Sequence, residues 1–131
     1  MLGTRVMFLL AGLSGAFAVG FGAYASHGLS GKLDAQLFSY VQMALQYHFY
    51  HTLAILACAV ISLFIQQDGR YRLSYYACCC FVVGLVLFCG SFYYWALSGY
   101  KLPAFVTPFG GGSFILGWLC LAMIALRGNK Q

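Results

Sequence analysis

The chain alternates between long apolar blocks and short polar breaks. Four blocks stand out, at about residues 6–25, 46–65, 73–97 and 108–126, and the breaks between them hold nearly all the charge. Each block is long enough to cross a bilayer as a helix, which takes roughly 20 mostly apolar residues. The pattern predicts an all-α, polytopic membrane protein: one four-helix transmembrane domain over residues 1–131. The first block also imitates a secretory leader, with Arg5 ahead of it and Ala23-Tyr24-Ala25 as a cleavage-like site. Its apolar run exceeds the roughly 7–15 residues of a leader core, so a retained first span is expected.

A fifth element precedes the second span. Asp34 suits a helix N-cap, and no Gly or Pro follows it as far as Ile65. That stretch of about 32 residues would reach roughly 48 Å at 1.5 Å each, against a hydrocarbon core of about 30 Å. Leu37, Val41 and Leu45 share one face of its first part, while Ser39, Gln42 and Gln46 share another. The expectation is an amphipathic interfacial helix at about residues 34–45, lying along or capping the outer end of the bundle and bending into the second span. One tilted continuous helix is the alternative.

Small residues mark where helices approach closely. Gly12, Ala16 and Gly20 form a stripe on the first span, and Gly84 and Gly117 fall in the third and fourth. The fourth span opens with Thr107-Pro108, read as N-cap and first helical residue. Gly110-Gly111-Gly112 follows, although each glycine weakens a helix by about 1 kcal/mol relative to alanine. Gly12, Ala16, Gly20, Gly110, Gly111 and Gly117 are therefore expected to pack helix on helix.

Composition changes the picture by excluding a soluble part. Of 131 residues, 63% are hydrophobic and 7% charged, whereas a soluble domain carries about 25% charged residues. The net charge of +5 would point to nucleic acid in a soluble domain, but the basic residues are scattered with no stripe or stacking platform. They report orientation instead. Arg5, Arg70, Arg72, Arg127 and Lys130 lie on one side, Lys32 and Lys101 on the other, which places both termini and the loop at residues 66–72 in the cytoplasm. Tyr71, Tyr75 and Tyr76 at one end of the third span, and Tyr93, Tyr94, Trp95 and Tyr100 at the other, read as two interfacial belts.

Few residues offer chemistry. Cys58, Cys78, Cys79, Cys80, Cys89 and Cys120 all lie in apolar runs without a CxxC pair, and read as small buried side chains. Asp34 and Asp68, the two acids, both fall in loops. The spans thus lack the carboxylate that proton-coupled exporters need, and neither a nucleophile–His–acid set nor a P-loop occurs. Ionisable groups within a membrane are functional candidates by default, which singles out His27, His48 and His51. With Thr107 they fall near the outer ends of the spans. His48 and His51 stand about 60° apart on a helix and are able to face one partner. No metal site, catalytic residue or cofactor is expected from two histidines at i, i+3 without carboxylate partners.

At this point the residues resemble a family. Gly22-Ala23-Tyr24-Ala25-Ser26-His27-Gly28-Leu29, Tyr50-His51-Thr52-Leu53-Ala54-Ile55-Leu56, Gly90-Ser91-Phe92-Tyr93 and Phe105-Val106-Thr107-Pro108-Phe109-Gly110-Gly111, closing with Gly117-Trp118, are similar to the YgdD/YwdK-like small bacterial inner-membrane proteins, which carry a domain of unknown function. The match covers nearly the whole chain in order and is closest to the proteobacterial type. The resemblance implies a four-span, multi-pass protein of the bacterial inner membrane with no established biochemical activity. Its motifs fall on His27, Gly28, His51, Gly90, Ser91, Thr107, Pro108, Gly110 and Gly111. His48 is a departure, since another residue is expected there in relatives, which leaves His27 with His51 as the better pair.

Two readings of function follow. The first is a structural or interaction protein of the bilayer, self-associating or supporting a membrane partner, with lipids as its surroundings. The alternative is a module that binds or transports a lipid, quinone or small solute. It would use an outward-opening cavity lined by His27, His51 and Thr107, with His48, Gly90 and Ser91 nearby. A metal or haem enzyme is the least supported.

Overall fold

The computed structural model describes residues 2–65 and 69–127. Asp68, one of the two acids, and Lys130, which entered the orientation argument, lie outside the described residues. Helix α1 (Leu2–Tyr24) runs into a π-helical turn (Ala25–Leu29), and α2 spans Ala35–Phe64. A long third element is built from α3 (Gly69–Gly84), a second π-helical turn (Leu85–Cys89) and α4 (Gly90–Ser98), and α5 (Val106–Leu126) closes the chain. No strand occurs among the described residues. Among the described residues, four helical stretches are long and apolar enough to cross a membrane: Gly3–Leu29, Ala35–Phe64, Gly69–Ser98 and Val106–Leu126.

The stretch expected to bend before the second span does not. Asp34 caps α2, its carboxylate accepting from Leu37 N–H at 2.9 Å, a cap worth about 0.5–2 kcal/mol. From there the helix runs unbroken for 30 residues. The reason lies in its buried side. Leu37, Val41, Ala44, His48, His51, Ile55, Cys58 and Ser62 are all buried, and their spacing alternates strictly between four and three. That is the seam of a helix packed lengthwise on its neighbours, so the amphipathic start and the membrane span share one face and nothing drives a bend.

Contacts at both ends show that the four spans run antiparallel. At the termini end, Ser62 Oγ lies 3.0 Å from Thr4 Oγ1, and Arg127 Nη1 donates to Gly69 C=O at 3.3 Å. At the loop end, which carries the 29–35 and 98–106 connections, Ala25, Leu29, Val41 and Ala96 form a small core of their own. The main core gathers Met7, Ile55, Cys58, Phe81, Cys89 and Phe114 from all four spans. α2 and the third element hold the centre, while α1 packs along α2 and α5 packs along α3.

The α3–α5 contact is a reciprocal exchange of rings and glycines. Phe81 of α3 lies against Gly117, and Phe114 of α5 lies against Gly84. Gly110 sits on the backbone of Phe88 in the second π turn, leaving no room for a side chain. Ser113 Oγ adds a hydrogen bond to Cys80 C=O at 2.7 Å. Gly110 and Gly117 therefore pack as expected, whereas a Cβ added at Gly111 would make only ordinary contact with Phe88, at 3.9 Å. The stripe on the first span does the opposite. Gly12, Ala16 and Gly20 are exposed, and a Cβ added at Gly12 or Gly20 meets nothing within 4 Å. α1 buries Met7, Ala11 and Ala18 instead, which turns the Gly12, Ala16 and Gly20 stripe away from the bundle.

Candidate functional site

The buried seam of α2 carries two histidines, and their positions three residues apart send them to opposite neighbours. His48 turns towards α1 and α4. Its Nε2 lies 3.0 Å from Ser14 Oγ and its Nδ1 3.0 Å from Tyr93 Oη, while Ser14 Oγ lies 2.6 Å from Thr52 Oγ1. A chain of four polar side chains, Thr52–Ser14–His48–Tyr93, thus ties three helices together. Aromatic rings surround it: Phe17 stacks on His48 with centroids 5.7 Å apart, and Phe21 lies 4.3 Å from Tyr93.

His51 turns towards α5. Its ring stacks on Phe114 at 3.6 Å, nearly parallel. Trp118 Nε1 lies 3.1 Å from His51 Nε2, and His51 Nδ1 lies 2.6 Å from Tyr47 C=O. An indole N–H only donates and a carbonyl only accepts. The partners therefore assign one neutral tautomer, with the proton on Nδ1.

Ser91 and Thr107 meet elsewhere, between α4 and the start of α5. Ser91 Oγ donates to Phe88 C=O at 2.7 Å, so its 2.7 Å contact with Thr107 Oγ1 takes the threonine's proton. Thr107 is therefore no N-cap. α5 begins at Val106, whose N–H already donates to Pro103 C=O at 3.1 Å, which frees the threonine hydroxyl for Ser91. This pair lines a loop-end pocket of about 440 Å³ with Tyr40, Trp95, Lys101 and Gly111. Lys101 Nζ stands 4.8 Å from the Trp95 ring centre.

The candidate residues are thus divided rather than gathered. The cavity expected between His27, His51 and Thr107 does not form. His27 is exposed on the first π turn, His51 is enclosed by Phe114 and Trp118, and Thr107 lines a pocket that neither histidine reaches. Gly90 does join His48, on the wall of a groove between α1 and the third element. That groove encloses about 560 Å³ and is lined by Ser14, Phe17, His48, Leu85, Gly90 and Tyr93, among others. His48, set aside in favour of the His27–His51 pair, is the histidine that lines a cavity.

Ser14, Thr52, Tyr93 and Trp118 were missed as polar partners. Thr52 was visible one turn after His48, and Ser14 as an isolated hydroxyl in an apolar span. Tyr93 looked like its neighbour Tyr94, yet Tyr94 is 47% exposed and Tyr93 only 7%. Among the described residues, every buried side-chain nitrogen and oxygen has a hydrogen-bond partner, and no cluster of three His, Cys, Asp or Glu is placed to hold a metal ion. All six cysteines are free, with Cys58, Cys78 and Cys89 buried.

Four apolar helices, antiparallel and held by rings, glycines and a few interhelical hydrogen bonds, define a polytopic helical membrane protein. Residues 21–111 match the family described as "Protein of unknown function (DUF423)". The chain is 40% identical over 129 residues to the UPF0382 inner membrane protein YgdD of Escherichia coli K12, covering 98% of this chain and 95% of that protein. A UPF0382 membrane protein of Haemophilus influenzae is 38% identical over 113 residues, covering 86% of this chain and 87% of its own length. One from Staphylococcus epidermidis is 36% identical over 125 residues, or 94% and 97% of the two chains. The chain belongs to this family. No solved structure matches it.

Proposed function

We propose that this is an inner-membrane interaction protein that self-associates laterally through α1, with both termini in the cytoplasm. The observation that carries the reading is the exposed stripe Gly12, Ala16, Gly20, where a Cβ added at either glycine meets nothing in its own chain. Within a bilayer, helices gain little from hiding apolar surface, so close backbone approach at small residues drives their association. The same chain uses glycines that way at Gly84, Gly110 and Gly117. An identical stripe on a second copy is self-complementary about a two-fold axis. The inner-membrane location follows the name of the Escherichia coli relative, and the orientation follows the five-to-two bias of basic residues between the two ends.

Native mass measurement in mild detergent, with dilution in vesicles, tests it. Dimers are expected for the full chain, and the paired substitution Gly12→Leu and Gly20→Leu should weaken them at least tenfold. The monomer's unfolding midpoint should not fall, since open space surrounds both positions and leucine is a better helix former than glycine. A strictly monomeric protein, or dimers indifferent to the two leucines, would overturn the reading. A reporter fused to the C-terminus that is active only outside the cytoplasm should stay silent.

A further inference from the structure

The groove between α1 and the third element holds a feature that helix packing does not require. α1 packs along α2 and scarcely touches α3. The resulting cleft is walled by Leu10, Leu13, Leu85 and Val86, and floored by Ser14, His48 and Tyr93. We infer that this groove binds a membrane quinone: an uncharged flat ring bearing carbonyl or hydroxyl oxygens, with a hydrocarbon tail.

Depth and charge exclude a phospholipid headgroup. Ser14 lies eleven residues into the span Gly3–Leu29, about 17 Å from one end of a helix about 40 Å long. His48 lies thirteen residues into Ala35–Phe64, about 20 Å from its end. Both sit near the middle of a core of about 30 Å, where phosphate does not reach. The groove lining contains no Lys, Arg, Asp or Glu, so it offers an anion or a cation no partner. Its volume of about 560 Å³ falls within the roughly 300–1,000 Å³ of small-molecule sites, which are mostly apolar with a few convergent polar groups.

The floor suits a head that exists in two hydrogen-bonding forms. His48 has side-chain hydroxyls on both ring nitrogens, and a hydroxyl both donates and accepts. With the proton on Nδ1, His48 donates to Tyr93, and the phenol proton is free for a carbonyl oxygen in the groove. With the proton on Nε2, Tyr93 donates to His48, and its oxygen is free to accept from a ligand hydroxyl. Ser14 and Thr52 reverse their own bonds to match. His51 lacks this freedom because Trp118 and Tyr47 hold it in one tautomer. The ring finds its own surface in Phe17, which is 54% exposed and stacks on His48. The π turn Leu85–Cys89 forms part of the opposite wall, and such turns recur at functional sites.

The polar floor of the groove is separate from the self-association stripe, since Gly12, Ala16 and Gly20 lie about 120–160° round α1 from Ser14. The test uses the full chain in nanodiscs of phosphatidylethanolamine and phosphatidylglycerol, titrated with a benzoquinone carrying a ten-carbon tail and then with its quinol. Imidazole nitrogen NMR reads all three histidines. Saturable shifts are expected at His48, in opposite tautomeric senses for quinone and quinol, with His51 and His27 unmoved. Tyr93→Phe should weaken binding at least tenfold. Val86→Trp, which fills the groove from its exposed wall without touching a polar bond, should abolish it while the fold persists. Shifts that never saturate, that move all three histidines alike, or that survive Val86→Trp would overturn the inference. So would a phospholipid retained in native mass spectra that the quinone fails to displace.

Discussion

The two sides of the central helices are built on different principles. On the α5 side, every glycine that faces the bundle seats a ring or a backbone, and His51 is enclosed between Phe114 and Trp118. On the α1 side, Gly12 and Gly20 face outward, and His48 borders a groove of about 560 Å³. The same residue type therefore does opposite work a few residues apart. A histidine flanked by a pure donor and a pure acceptor is a fixed pin; one flanked by two hydroxyls is adjustable. What separates a structural polar group from a binding one here is the chemistry of its neighbours, since both histidines are buried and both are bonded.

The sharpest way to break this contrast is overpacking. Gly110→Ala drives a methyl into the Phe88 backbone and should cost about 1–3 kcal/mol, read as a lower midpoint in reversible detergent unfolding. Next comes the pin. Trp118→Phe keeps a ring but leaves His51 Nε2 buried without its donor, expected to cost about 1–3 kcal/mol. Tyr93→Phe should cost less, about 0.5–1.5 kcal/mol for one hydrogen bond, because His48 borders an open groove whereas His51 is enclosed. A Tyr93→Phe loss larger than that of Trp118→Phe would reverse the comparison. The smallest loss is expected at the outward stripe: Gly12→Ala should not destabilise the monomer, because the added methyl meets nothing and alanine is the better helix former by about 1 kcal/mol.

Much of the fold was legible along the chain. The apolar blocks marked the spans because a bilayer accepts only segments with internally satisfied backbones, and Asp34 was recognisable as a cap from residue type and position. The continuity of α2 was also legible in the four-three spacing from Leu37 to Ser62, although the strong amphipathic start drew attention to a bend. The two π turns were not legible. The second lies between Gly84 and Gly90 in an apolar run that reads as ordinary helix.

The candidate site was legible only as a set of residue types. His48, His51, Ser91 and Thr107 were singled out correctly as polar groups that need partners, yet their assembly into one outer cluster was wrong. Helical spacing gives the angle between two side chains on one helix; it does not say which neighbouring helix stands at each angle. The same limit left open which way Gly12, Ala16 and Gly20 face, since small residues permit close approach equally towards the chain's own bundle and away from it.

Sequence alone thus determined that this is a helical membrane protein with four spans, a capped second helix and few groups able to do chemistry, because those properties follow from local composition and period. Only the tertiary structure decided that His51 is locked, that His48 opens on a groove and that α1 presents Gly12 and Gly20 outward. Those outcomes depend on how each helix is rotated about its own axis. That rotation is set by packing summed over all neighbours, which no single segment encodes.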